Sequence, residues 1–244
     1  MGDLLTCLLR MRHPHLRAGS VGHWTLSRFT VTPEAAAASR LRAMCNPQRA
    51  FRFMPAGRYW CLDCDGATVM TDTPDERRDH YPVVYQAAAR VVAGERVTAL
   101  VFGLGLGMVT KALLDLARVD HVTVVEIDPD VRALIGAAMQ RRYRDRLTLI
   151  GADAFTWQPP KDTRWTVGWA DIWNTIGGKH WPAMKALRRR YGRRCQWWGA
   201  WCERLMRREA RRRHVRDQRF NRLVFQLAGA RLCALVGARE PIST

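Results

Sequence analysis

The sequence predicts an α/β fold: a parallel sheet with helices on both faces, a small N-terminal β-hairpin element before it and a basic helical C-terminus after it. Three observations carry this. Val97 to Phe102 (VTALVF) is a short apolar run, as in a strand buried on both faces, and Gly103, Gly105 and Gly107 follow at once, ahead of helix signals. Strand and helix signals then alternate to Asp171, the order that gives a parallel sheet with right-handed crossovers. Finally, acids stand where the successive strands end: Glu126, Asp153 and Asp171.

Residues 1–22 read as a loosely ordered start. Residues 23–94 read as an N-terminal helix and β-hairpin element. Within it, Trp24 to Val31 (WTLSRFTV) alternates like a strand. Thr32, Pro33 and Glu34 form a helix start, with a hydroxyl cap, Pro at the first position and an acid in the first turn. Asn46-Pro47 stops that helix. Residues 51–54 and 58–71 suggest a hairpin turning at Asp65-Gly66. Asp75 to Val92 is expected to be helical and kinked or broken at Pro82.

Residues 95–202 form the expected core. After the glycine loop, its helix and a second strand, Arg146 to Ile150 (RLTLI) is the third strand and Trp165 to Ala170 (WTVGWA) the fourth. A loop (IWNTIGGKHW), a helix over Trp181 to Tyr191 and a fifth strand in CQWWGAW complete it. The tryptophans here, Trp173, Trp181, Trp197, Trp198 and Trp201, are expected to pack under the sheet more than to form an aromatic wall. Residues 203–244 read as an Arg-rich helical tail, in which no hairpin of sixth and seventh strands is legible.

A chain of 244 residues with 48% hydrophobic content supports one α/β domain with small extensions. Leu223 to Val236 is too short and too charged, with Arg231 inside it, to span a membrane. The first residues show no signal peptide, so a cytoplasmic location and free thiols are expected. Cys61 and Cys64 form a lone C-x-x-C without a second pair at zinc spacing, so no metal is expected. The net charge of +18 points to an acidic partner, nucleic acid first. Arg188 to Arg222 holds 14 Arg against Glu203, Glu209 and Asp217. This surplus suits nonspecific phosphate contact through residues 188–222, although codon bias in a GC-rich genome would also replace Lys by Arg.

The glycine loop and the segments after it suit an adenosine-containing ligand. The helix N-terminus would face it, and Glu126, beside Ile127, can accept hydrogen bonds from two ribose hydroxyls. The spacing is G-x-G-x-G, with Met108 where the dinucleotide fingerprint needs its third glycine. The form found is typical of S-adenosylmethionine (SAM) sites. Asp153 with Ala154 falls where an acid can accept a hydrogen bond from the adenine amino group, and Asp171 is the candidate base.

From about Cys61 to Asp171 the chain resembles the spermidine synthase family, within the class I SAM-dependent methyltransferase superfamily. CLDCDGATVMTDTPDER resembles the hairpin and D-G-x-x-Q-x-T-E-x-D-E segment of aminopropyltransferases. VTVVEIDPDV resembles their second strand, and LTLIGADAF their L-x-x-x-G-D-G/A-F segment. WTVGWADIWN lies where they carry F-D-V-I-x-x-D-S-S-D-P. The resemblance implies a Rossmann-like class I methyltransferase sheet, SAM or decarboxylated SAM as cofactor, and a homo-oligomer. Two departures bear on polyamine chemistry. Leu106 stands where the family's amine-clamping Asp stands in G-G-G-D-G-G, and Asn174 replaces the second Asp of D-S-S-D-P. Methyl transfer to an unknown acceptor is therefore expected ahead of aminopropyl transfer. A non-catalytic protein binding nucleic acid through its tail is the third reading.

Overall fold

The computed structural model describes residues 10–13, 16–45, 53–175, 177–214 and 216. The chain first builds an antiparallel sheet, β1 (Gly19–Val21), β2 (Trp24–Val31), β3 (Gly57–Cys64) and β4 (Ala67–Thr71), in that spatial order. Helix α1 (Pro33–Met44) leaves β2, capped by the Thr32 hydroxyl, which accepts from the Ala35 amide at 3.3 Å. The β3–β4 hairpin turns at Asp65 and Gly66, both at positive φ, as a two-residue hairpin turn requires. Two expectations change here. Gly19–Val21 pairs with β2, and Met11 and Leu16 are buried, so these described residues of the first 22 are packed rather than loose. The helix expected over 75–92 is two helices, α2 (Pro74–Asp79) and α3 (Tyr81–Val92), broken at His80. Pro82 sits in the first turn of α3, where a missing N–H costs nothing, so the break precedes the proline.

The second sheet holds β5 (Val97–Phe102), β6 (Val119–Glu126), β7 (Leu147–Gly151), β8 (Trp165–Ala170) and β9 (Cys195–Ala200). Its order is β7-β6-β5-β8-β9, and all four pairings are parallel. The connecting helices are α4 (Met108–Leu114), α5 (Pro129–Val131), a π turn (Arg132–Gly136), α6 (Ala137–Tyr143) and α7 (Trp181–Tyr191); residues 203–214 form α8. The five-stranded parallel sheet with flanking helices is the fold the sequence predicts. The tail beyond residue 216 lies outside the described residues.

Side chains alternate along β5. Val97, Ala99 and Val101 join one core layer with α3, α4 and α6, while Leu100 and Phe102 join another with α7. That is why β5 reads as an unbroken apolar run. The chain steps outward from β5 to β6 and β7, then returns to β8 on the other side of β5. This reversal opens a crevice at the carboxyl ends of β5 and β8, where ligands of open α/β sheets bind.

Candidate functional site

A cavity of about 380 Å³ lies at that crevice, within the usual range for small-molecule sites. Gly103, Gly105, Glu126, Ile127, Asp153, Ala154 and Asp171 all line it. Gly107 does not; its Cβ position faces His13, Ile135 and Met139 at 3.4–3.5 Å, and its left-handed backbone (φ +70) starts α4. The N-terminal sheet closes the other side through Trp24, Leu62, Val69 and Met70.

The glycines answer to neighbours. A Cβ on Gly103 would collide with the backbone oxygen of Asp171, because the ends of β5 and β8 touch there. The Asp171 amide donates to Phe102 O at 2.8 Å and fixes that contact. A Cβ on Gly105 would meet the Met70 thioether, 2.7 Å from Sδ. The cradle is therefore deep because two other segments already lean into it.

Glu126 ends β6, 8% exposed. Its Oε2 accepts from the Leu104 amide at 2.7 Å and its Oε1 from the Asp128 amide at 2.9 Å. A carboxylate has about four lone-pair sites, so two are left for a ligand. Asp128 caps α5 with Oδ1 and accepts the Trp24 indole N–H at 2.8 Å on Oδ2, which ties the N-terminal sheet to the core beside the cavity. Arg132 braces the backbone at the end of β6, donating to the carbonyls of Glu126 and Ile127 at 2.7 and 2.9 Å. Asp153 turns the chain after β7, its Oδ1 accepting from the Phe155 amide at 2.8 Å. Ile127 is 65% exposed and Phe155 38%, two apolar groups at the cavity rim, as a flat aromatic ligand would need.

Asp171 follows β8. Burial raises its carboxyl well above the usual range, and the charges of Glu76, Glu126 and Asp79 push it the same way. Glu76, on α2, lines the same cavity. Burial raises it to about 7, against the hydrogen bonds its Oε2 accepts from the Thr71 amide (2.7 Å) and hydroxyl (2.6 Å). His80 Nδ1 lies 3.5 Å from Asp171 Oδ2, and the ring is 1% exposed. Burial lowers His80 to about 4, so near pH 7 the ring is neutral. With the ring neutral the contact is not an ion pair, and 3.5 Å is too long for a good hydrogen bond. Both His80 ring nitrogens are buried without a hydrogen-bond partner.

The tryptophans divide. Trp24, Trp173 and Trp201 line the cavity. Trp197 stacks on Trp169, and Trp198 packs against Tyr191 and Phe102, as the packing reading expects. Asn174 lines the cavity beside Asp171, whereas Leu106, in the amine clamp's place, is fully buried. Cys45, Cys61, Cys64 and Cys195 are free thiols, as expected for these cysteines. No helix among the described residues is long and apolar enough to cross a membrane.

Met70, Glu76, His80 and Trp24 were not among the residues the sequence singled out for the site. Glu76 stands inside the segment that resembles aminopropyltransferases, the one signal that could have marked it.

SAM fits this geometry. A carboxylate with spare lone pairs, an acid at the next strand end and an apolar rim line one cavity of suitable size. The buried indole N–H of Trp201 at the cavity wall has no hydrogen-bond partner.

Residues 83–177 match the family model of ribosomal RNA adenine dimethylase. The chain is 42% identical over 79 residues to ribosomal RNA small subunit methyltransferase A of Rhodococcus opacus, covering 31% of this chain and 26% of that one. It is 36% identical over 90 residues to polyamine aminopropyltransferase 2 of Ralstonia nicotianae, covering 34% and 17%. Matched segments thus span about a quarter or less of these relatives' length. Among solved structures, spermidine synthase from Thermotoga maritima aligns with a TM-score of 0.37 at 16% identity, over 52% of this chain and 46% of that one. The ribosomal RNA adenine dimethylase match thus runs from within α3 to the loop after β8 and takes in four strands of the parallel sheet.

Proposed function

We propose that this chain binds S-adenosylmethionine in the cavity at the strand ends and catalyses methyl transfer, with RNA as the acceptor class. One observation carries the reading: Glu126, Asp153 and Asp171, from the ends of three successive core strands, line a single cavity with the glycine loop. SAM supplies a methyl group on a sulfonium, intrinsically electrophilic, so the protein has to align a nucleophile and take up a proton. Glu126 would hold the ribose, Asp153 with Ala154 the adenine, and Ile127 would lie against its face. Gly103 and Gly105 let the loop pass close to the sulfonium end. Gly107 shapes the start of α4 from outside the cavity. Asp171 would accept the proton of the incoming nucleophile, and Glu76 sets how readily it does so.

RNA is supported by the family match and by the charge of the C-terminal part. Described residues 188–216 hold 12 Arg against Glu203 and Glu209. Enzymes that methylate DNA amino groups carry an N-P-P-Y-type tetrad after the fourth strand. Here Ala170, Asp171, Ile172 and Trp173 stand there, and they do not resemble that tetrad. Aminopropyl transfer is the second reading, supported by the Ralstonia match and opposed by Leu106 and Asn174.

The test is calorimetric titration with SAM, decarboxylated SAM and NAD in parallel. SAM should bind in preference to both others. Glu126→Ala should weaken SAM by about 1.5–3 kcal/mol, the scale of hydrogen bonds to a charged group. Unchanged affinity in that variant would remove the ribose assignment, and preference for decarboxylated SAM would favour polyamine chemistry.

A further inference from the structure

Met70, near the end of β4, reaches from the N-terminal sheet onto the glycine loop. Its Sδ accepts a hydrogen bond from the Leu106 amide at 3.2 Å. The Cβ position of Gly105 lies 2.7 Å from Sδ and 2.9 Å from Cε. Met70 lines both the main cavity and a second space of about 10 Å³ behind it, next to His80 and Asp171. The Leu106 N–H is thus engaged by a thioether, a weak acceptor on a side chain with three rotatable bonds. A carboxylate is a much stronger acceptor for the same N–H.

We propose that Met70 is a specificity-determining gate for the amino-acid tail of the cofactor. The inference rests on the SAM reading of the cavity. The thioether covers the stretch of loop, Gly105 and Leu106, along which a tail leaving the sulfonium would run. Glu126 and Asp153, proposed for the ribose and adenine, belong to other strand ends. A nucleoside thioether without an amino-acid tail therefore enters with Met70 in place. A ligand with the tail must swing Met70 aside, and gains the Leu106 N–H in exchange for the weak sulfur contact. Tail recognition is set by a side chain from the N-terminal sheet, not by the loop alone.

The experiment titrates the full chain and its Met70→Ala variant with SAM and with 5′-methylthioadenosine, which lacks the tail. Met70→Ala should bind SAM roughly three- to tenfold tighter and methylthioadenosine about equally well, the fold-change matching one weak hydrogen bond no longer displaced. Met70→Leu keeps most of the volume without the sulfur acceptor and should move the same ratio in the same direction by less. A purely structural role would shift both ligands together; an unchanged ratio in both variants overturns the gate. Failure of the unsubstituted chain to bind either ligand overturns the cavity reading, and the gate with it.

Discussion

Glu76 and His80 lie four positions apart, and burial moves them in opposite directions on the pH scale. Glu76 rises from 4.5 to about 7, so between those values the folded chain keeps a proton the unfolded chain has lost. Stability from this group therefore falls as pH rises through that window. His80 drops from 6.5 to about 4, so the unfolded chain is the one holding the extra proton, and stability rises with pH through its window. The two slopes oppose each other until about pH 6.5, above which the carboxyl penalty stands alone. Glu76→Gln keeps an oxygen to accept from Thr71 and removes the titration. Its melting temperature should exceed that of the parent more at about pH 8 than at about pH 5. The same variant removes the largest neighbouring charge acting on Asp171. The rise of the proposed methyl transfer with pH should move to lower pH; an unmoved profile would separate Asp171 from the proton step. The acids at strand ends were legible in the sequence because topology alone brings them together. Met70 and Glu76 were not, because they arrive from outside the core sheet, and no periodicity within the core records that approach.

At the scale of elements, the glycine loop shows how differently one motif's positions are constrained. Gly103 faces backbone, which cannot yield, whereas Gly105 faces the flexible end of Met70. Both lie at positive φ, so any side chain carries a similar conformational cost of about 1 kcal/mol. Gly103→Ala should then destabilise by about 3 kcal/mol or more by urea unfolding, and Gly105→Ala by about 1 kcal/mol. Equal losses would refute the distinction. The sequence located the strands, the hairpin turn and the capped helix α1, since each carries its own local signal. It missed the break at His80 because the proline two residues later is the stronger punctuation. It also missed β1, whose three residues become a strand only by pairing with β2.

For the molecule as a whole, α8 links the charged face to the site. Gly178, in the loop that follows Asp171, packs so closely on this helix that a Cβ would meet the Ala210 amide nitrogen at 2.6 Å. The Gly178 amide also donates to Glu209 Oε2 at 3.1 Å. Met206 is fully buried on the inner side, while Arg207, Arg208 and Arg211 are exposed. Replacing these three arginines by alanine should leave the fold intact and weaken the proposed RNA binding across sequences. The slope of log affinity against log salt should flatten by about one for each phosphate no longer neutralised, measured by fluorescence anisotropy over a salt series. An unchanged slope would exclude this face. The charge surplus was plain in the sequence, but its attachment to the loop beside Asp171 was not, because Gly178 and α8 carry no mutual signal.

The contact of Gly103 with the Asp171 backbone also bears on how this chain is constrained over time. A descendant that had shed every trace of chemistry would still need glycine at 103 to fold, so persistence of that glycine testifies to architecture, not to activity. Drift at Asp153, a half-buried carboxylate with no comparable architectural burden, would be the earlier sign of a retired site.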